Sequence, residues 1–157
     1  MAEAGAAEVV VAALRRFGGE DAEVAEQGCA ALMNLAGNNA DNRKAIASAG
    51  GVEVVVSALR AHGEGHAGVA DQGCWALCNL CWDTTANAAA IATAVSAGAV
   101  ALVEAAVRAH PSSSKVQKWG SKVLTRLNSS SKQQQQVALA FALAFAFAFA
   151  VYSNYIW

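Results

Sequence analysis

Apolar residues along this chain recur at the spacing of a helix face and then stop at glycine. Val10, Ala13, Leu14 and Phe17 stand at i, i+3, i+4 and i+7, and Val55, Ala58, Leu59 and His62 repeat that spacing. The pattern predicts amphipathic helices of about three turns, ended by Gly18-Gly19 and Gly63-Glu64-Gly65. Longer helices are predicted over 22–36, 67–82 and 115–127, the last introduced by Pro111 and Ser112-Ser113-Ser114, which supply turn and cap chemistry. Segments 38–47 and 83–92 each place Asn or Asp ahead of a short run rich in Ala and Ile, as a capped short helix requires. The predicted unit is therefore three helices, one short, one medium and one long, and the fold class is all-α.

The unit repeats. Residues 4–15 align with 49–60 at a shift of 45, and the same shift carries Glu26-Gln27-Gly28-Cys29 onto Asp71-Gln72-Gly73-Cys74. A weaker third copy opens at Ala97-Gly98; it keeps Arg108 in the register of Arg15 and Arg60, and Leu124 and Leu127 in that of Leu77 and Leu80. A period of this length falls in the range of helical repeat units. The opening Ala-Gly-Gly-Val-Glu-x-Val-Val-x-Ala-Leu-Arg, the Gln-Gly-Cys-x-Ala-Leu-x-Asn-Leu centre of the long helix and the Asn-Arg-x-x-Ile-x-x-Ala-Gly-Gly junction resemble armadillo repeats. The resemblance covers residues 4–132 and divides residues 1–132 into units of about 4–48, 49–96 and 97–132. It implies an armadillo-type α-solenoid, a right-handed superhelix whose third helices line a concave groove. Two features depart from a full array: no short first helix precedes Ala4, and about three units is the minimum for a stable stack. A fragment of a longer array, or ends covered by something else, would answer both.

Residues 133–157 belong to no repeat. Gln133 to Gln136 is a homopolymer, and from Val137 to Val151 Ala alternates with Leu, Phe or Val. Alternation is a strand pattern, while Ala at every second position favours helix. Taken through Trp157 the run spans ~31 Å as a helix, the thickness of a bilayer core. Basic residues precede it and Tyr152, Tyr155 and Trp157 close it, as a membrane anchor through 137–157 would have it. A low-complexity extension, or a cap on the array, fits the same residues.

Composition narrows the class of job. The chain has 157 residues, 55% of them apolar, enough for a core, and a net charge of −1. That charge is unevenly placed: all twelve acidic residues lie in 1–104 with five basic ones, and six basic residues with no acid follow. An acidic N-terminus with Arg15-Arg16 soon after lacks the form of a secretory signal, so an intracellular, cytoplasmic or nuclear setting with free thiols is expected, membrane-associated if the tail is an anchor. Cys74, Cys78 and Cys81 share a helical stripe, but the outer two are ~10 Å apart along the axis, and a zinc ion holds each sulfur at ~2.3 Å. Their counterparts Cys29, Met33 and Ala36 are packing residues, so no metal is expected. His62 and His110 share a register at a helix end with Phe17, which reads as packing with a favourable cation at a helix C-terminus. No nucleophile–base pair, phosphate loop or carboxylate pair stands out, so neither catalysis nor a cofactor is expected.

One stripe remains. Asp71, Trp75, Asn79 and Asp83 recur every four residues on the predicted long helix, opposite Ala76, Leu77 and Leu80. In the armadillo proteins that this chain resembles, that Asn binds the main chain of an extended peptide and the Trp forms an apolar slot beside it. An amide offers both a donor and an acceptor to any backbone, and Trp offers rigid apolar area. The same stripe reads Glu26, Ala30 and Asn34 in the first unit and Lys118, Lys122 and Arg126 in the third. Trp75 and Asn79 are expected to be the principal contacts, Asn34 a second clamp, and Lys122 and Arg126 a basic end that selects acidic side chains. The expected function is a non-enzymatic scaffold for protein or an extended peptide. A membrane-tethered adaptor is the alternative, with nucleic acid ranked last because the first two units are acidic.

Overall fold

The computed structural model describes residues 2–82 and 87–154, with side chains throughout except at 2–4, 130, 131, 133, 134 and 147–154. Eight helices account for the described residues: α1 (Ala2–Phe17), α2 (Ala22–Ala36), α3 (Ala40–Ser48), α4 (Gly51–His62), α5 (Ala67–Leu80), α6 (Ala88–Ser96), α7 (Ala99–Ala109) and α8 (Ser114–Asn154). Local chemistry sets the boundaries. The Asp21 carboxylate accepts from the amides of Glu23 and Val24 at 2.8 and 3.1 Å, and the Asn39 side chain accepts from Asn42 N at 2.9 Å, each satisfying donors that a helix start leaves unpaired. At both junctions between a short and a medium helix stands a glycine in the left-handed region, Gly50 at φ 87° and Gly98 at φ 84°, where a side chain would be strained.

The long helices α2, α5 and α8 lie side by side, α2 against α5 and α5 against α8, with α1, α4 and α7 packed behind them in the same order. Between the two rows runs one continuous core that includes Leu32, Leu59, Leu77, Leu80 and Leu127, each at most 2% exposed. A glycine recurs in each long helix where a medium helix crosses it. A Cβ on Gly28 would lie 2.5 Å from Leu14, on Gly73 2.8 Å from Leu59 and on Gly120 2.4 Å from Val107, so these positions let the rows approach closely. All four cysteines are free and buried, and burial pushes the thiols of Cys29, Cys74 and Cys81 up to about 12.

Two further sets of bonds repeat along the array, and every acceptor is a main-chain oxygen. Arg15 donates to the Ala49 carbonyl at 3.1 Å and Arg60 to the Ala97 carbonyl at 2.6 Å, each capping the end of a short helix with a cation. The Nε2–H of His62 donates to the Gly18 carbonyl at 3.1 Å, and that of His110 to Gly63 at 2.9 Å. The histidines thus tie each unit to the end of the preceding medium helix, a specific bond that a packing role does not require.

The tail is helical as far as Asn154. α8 crosses residue 132 without a break and continues to Asn154, because extending a formed helix through Ala and Leu is far easier than nucleating a new strand. Val137, Leu139, Phe141, Leu143 and Phe145 are all exposed, Phe145 at 77%; on a helix these alternate positions form two stripes on opposite sides, with Ala between them. Among the described residues no single helix is long and apolar enough to cross a membrane, the apolar stretch being Gln135–Ala146. Tyr155 and Trp157, and Asp83 of the predicted stripe, lie outside the described residues.

Candidate functional site

The long helices α2 and α5 and the short α3 border an open cavity of about 620 Å³, lined by residues that include Asn34, Arg43, Trp75, Asn79 and Trp82. It lies at the junction of two units, and three of the five predicted contacts, Asn34, Trp75 and Asn79, meet there. Asn34 from α2 and Trp82, just beyond α5, are exposed; Trp75 and Asn79 are half-buried. Arg43 reaches in from α3. Its Nη1–H donates to the Ala36 carbonyl at 3.1 Å, while its buried Nε–H has no partner, and a buried donor in that state is an opening for an acceptor.

Trp75 and Asn79 do more than face the cavity. The Asn79 amide donates across the unit boundary to the Met33 carbonyl at 2.9 Å. Trp75 stacks on Trp119 of α8, with ring centroids 4.4 Å apart and planes at 11°. Lys118 and Lys122 place their ammonium groups 4.6 and 4.7 Å from the Trp119 ring centre, within the range of a cation–π contact. Trp119 did not figure among the predicted contacts. It lies three residues before the register equivalent of Trp75, one helical turn along the neighbouring helix, and a comparison of adjacent units offset by one turn finds it.

The basic end of the predicted site is engaged rather than open. Arg126 donates from Nη1 to the carbonyl oxygen of Cys78, with the Cys78 sulfur 2.8 Å away, and its guanidinium lies 4.6 Å from the centre of the Trp82 ring. Cys78 is the register equivalent of Met33, so Arg126 ties α8 to α5 as Asn79 ties α5 to α2. Lys115, which starts the same basic face, lies 3.7 Å from the Asp71 carboxylate. Asp71 departs from the outward stripe: it is 6% exposed, covered by the next unit, and burial raises its carboxyl above the usual range against the opposing pull of Lys115.

A family model described as Armadillo/beta-catenin-like repeat matches residues 39–82. Those residues are an armadillo repeat. No curated protein and no solved structure matches the chain. The armadillo repeat comprises α3, α4 and α5, with Cys81 and Trp82 after them. The periodicity, read from the sequence, cut the same period at the start of the medium helix; the repeat begins one helix earlier, at Asn39, whose side chain caps α3. By register α1 and α2 match the last two helices of the armadillo repeat, and α6, α7 and the first part of α8 match all three.

Proposed function

We propose that this chain is a non-enzymatic protein-interaction scaffold that binds an extended peptide along the row of long helices, which wind as a right-handed armadillo solenoid. Armadillo repeats typically serve as scaffolds. The observation that carries the finer reading is the cavity at the junction of α2, α3 and α5, where an exposed amide, an exposed indole and a buried guanidinium donor without a partner converge. Asn34 offers a donor and an acceptor to a peptide backbone, and Trp82 offers an apolar face for a side chain. The free donor of Arg43 suits a carbonyl or carboxylate. Trp75 and Asn79 serve this site chiefly by setting the spacing of the helices that form it.

Selection of random linear peptides on the full chain, followed by titration of the winners against Asn34→Ala and Trp82→Ala, tests the proposal. Both residues are exposed, so neither change removes core contacts. The expected result is a loss of affinity of about tenfold or more, about 1.4 kcal/mol, with an unchanged unfolding midpoint for Asn34→Ala and, for Trp82→Ala, a midpoint lowered only by the lost Arg126 contact, about 0.5 kcal/mol. No enrichment of any peptide, or winners indifferent to both changes, would overturn it.

A further inference from the structure

Among the described residues two apolar surfaces are exposed, one on the first unit and one on the far part of α8. The first is the leading face of the array. Val9, Val10, Ala13, Val24 and Ala31 line an apolar cavity of about 350 Å³ between α1 and α2. Val9 is 69% exposed, Ala13 is exposed and the other three are partly buried. At the same register in the second unit stand Val54, Val55, Ala58, Val69 and Ala76, none more than 6% exposed, because α1 and α2 cover them. Of the equivalent positions of the third unit, Val103, Ala106, Val116 and Val123 are fully buried in turn, and Leu102 is partly buried. The leading groove therefore has the shape and chemistry of a seat that, twice in this molecule, holds an Ala-rich helix.

The second surface is the helix 135–146. Its large side chains are exposed in two stripes on opposite sides, from Val137 at 50% to Phe145 at 77%, and Ala fills the arcs between the stripes, which allows another helix to come close. It is the continuation of one unbroken helix of 41 residues, about 61 Å long, so it cannot fold back onto the leading groove of its own chain two units away. A second copy can supply it. The charges agree: exposed Glu23 lines the groove, whereas α8 ahead of its apolar part carries exposed Lys122 and Lys132 and no acid.

We propose that two copies of this chain associate by exchange, the apolar end of α8 from each lying in the α1–α2 groove of the other. Two such contacts related by a twofold axis close the pair and leave neither apolar surface in water.

Mixing of two complementary variants tests this. Ala13→Glu puts a charge in the groove at an exposed position, and Leu139→Glu with Leu143→Glu puts two on the tail, also at exposed positions. Far-UV circular dichroism verifies that both fold. Sedimentation at micromolar concentration is expected to give a dimer for the unaltered full chain and a monomer for each variant alone. An equimolar mixture of the two variants is expected to recover a two-chain species, because one groove and one tail remain intact between them. A monomeric unaltered chain would overturn the proposal. So would a dimer that survives Ala13→Glu but not the tail changes, which means that tails pair with tails. Equal flotation of the unaltered chain and Ala13→Glu with phosphatidylcholine vesicles, at a protein concentration where the former should pair, would also overturn it and assign the tail to a bilayer.

Discussion

Removing one ring of the Trp75–Trp119 stack should reveal how much of the cohesion between the second and third units comes from the face that also forms the candidate site. A fully buried Trp→Ala change costs about 3–5 kcal/mol. Both rings are half-buried, so Trp75→Ala is expected to cost about 2 kcal/mol. Trp119→Ala also releases Lys118 and Lys122 from the ring, each contact worth about 0.5 kcal/mol at an exposed site, and should cost about 3 kcal/mol. The stack itself, at 4.4 Å and nearly parallel, contributes about 1 kcal/mol beyond burial. The double variant should therefore be less damaging than the sum of the two singles by about that amount. Urea unfolding of all four proteins, followed by far-UV circular dichroism, measures the coupling, provided that the slopes of the transitions agree. A coupling below ~0.3 kcal/mol, the error expected for independent sites, would refute the claim that the two rings act as a pair.

Two further outcomes follow from the core. Cys29, Cys74 and Cys81 keep their protons to about pH 12 in the folded chain, while an unfolded thiol ionises near its ordinary value, so between those limits proton release favours unfolding. Stability should fall by about 1.4 kcal/mol per thiol for each pH unit gained in that window, as measured by unfolding midpoints, and alkylation at neutral pH should require unfolding; rapid alkylation of the native protein would contradict the burial. Gly73→Ala should destabilise despite adding a better helix former: the gain is about 1 kcal/mol, but a Cβ 2.8 Å from the buried Leu59 forces an overpacking cost of about 1–3 kcal/mol. A raised midpoint for this variant would show that the rows of helices can separate to accept it.

The helices were legible because each leaves a local trace. The long helix over 22–36 has the bounds that periodicity predicts, and its neighbour stops at Leu80, two residues short of prediction, where the amide of Cys81 bonds back to Leu77. Lateral contacts left no such trace. An apolar stripe on one helix marks the side that faces the core, but a helix in a stack has two covered flanks as well. Asp71 lies on such a flank, which is why a residue placed outward by its spacing is buried beside Lys115. The same blindness hid Trp119, and it made Arg126 read as a free cation when its guanidinium spans a carbonyl and an indole. The tail was ambiguous for a different reason: a period of two and a high Ala content argue for opposite structures, and only its continuity with α8 decides between them.

Arg15, Arg60, His62, His110, Asn79 and Arg126 each reach a peptide oxygen of the neighbouring unit, Arg126 touching the Cys78 sulfur as well. A peptide oxygen is present whatever side chain its residue carries. At those acceptor positions a unit can thus change its side chain, even from Met33 to Cys78, without losing these bonds to its neighbour. Copies of such a unit are interchangeable parts at the moment of duplication, and they stay joined as they diverge, which leaves the exposed positions of each copy free to specialise.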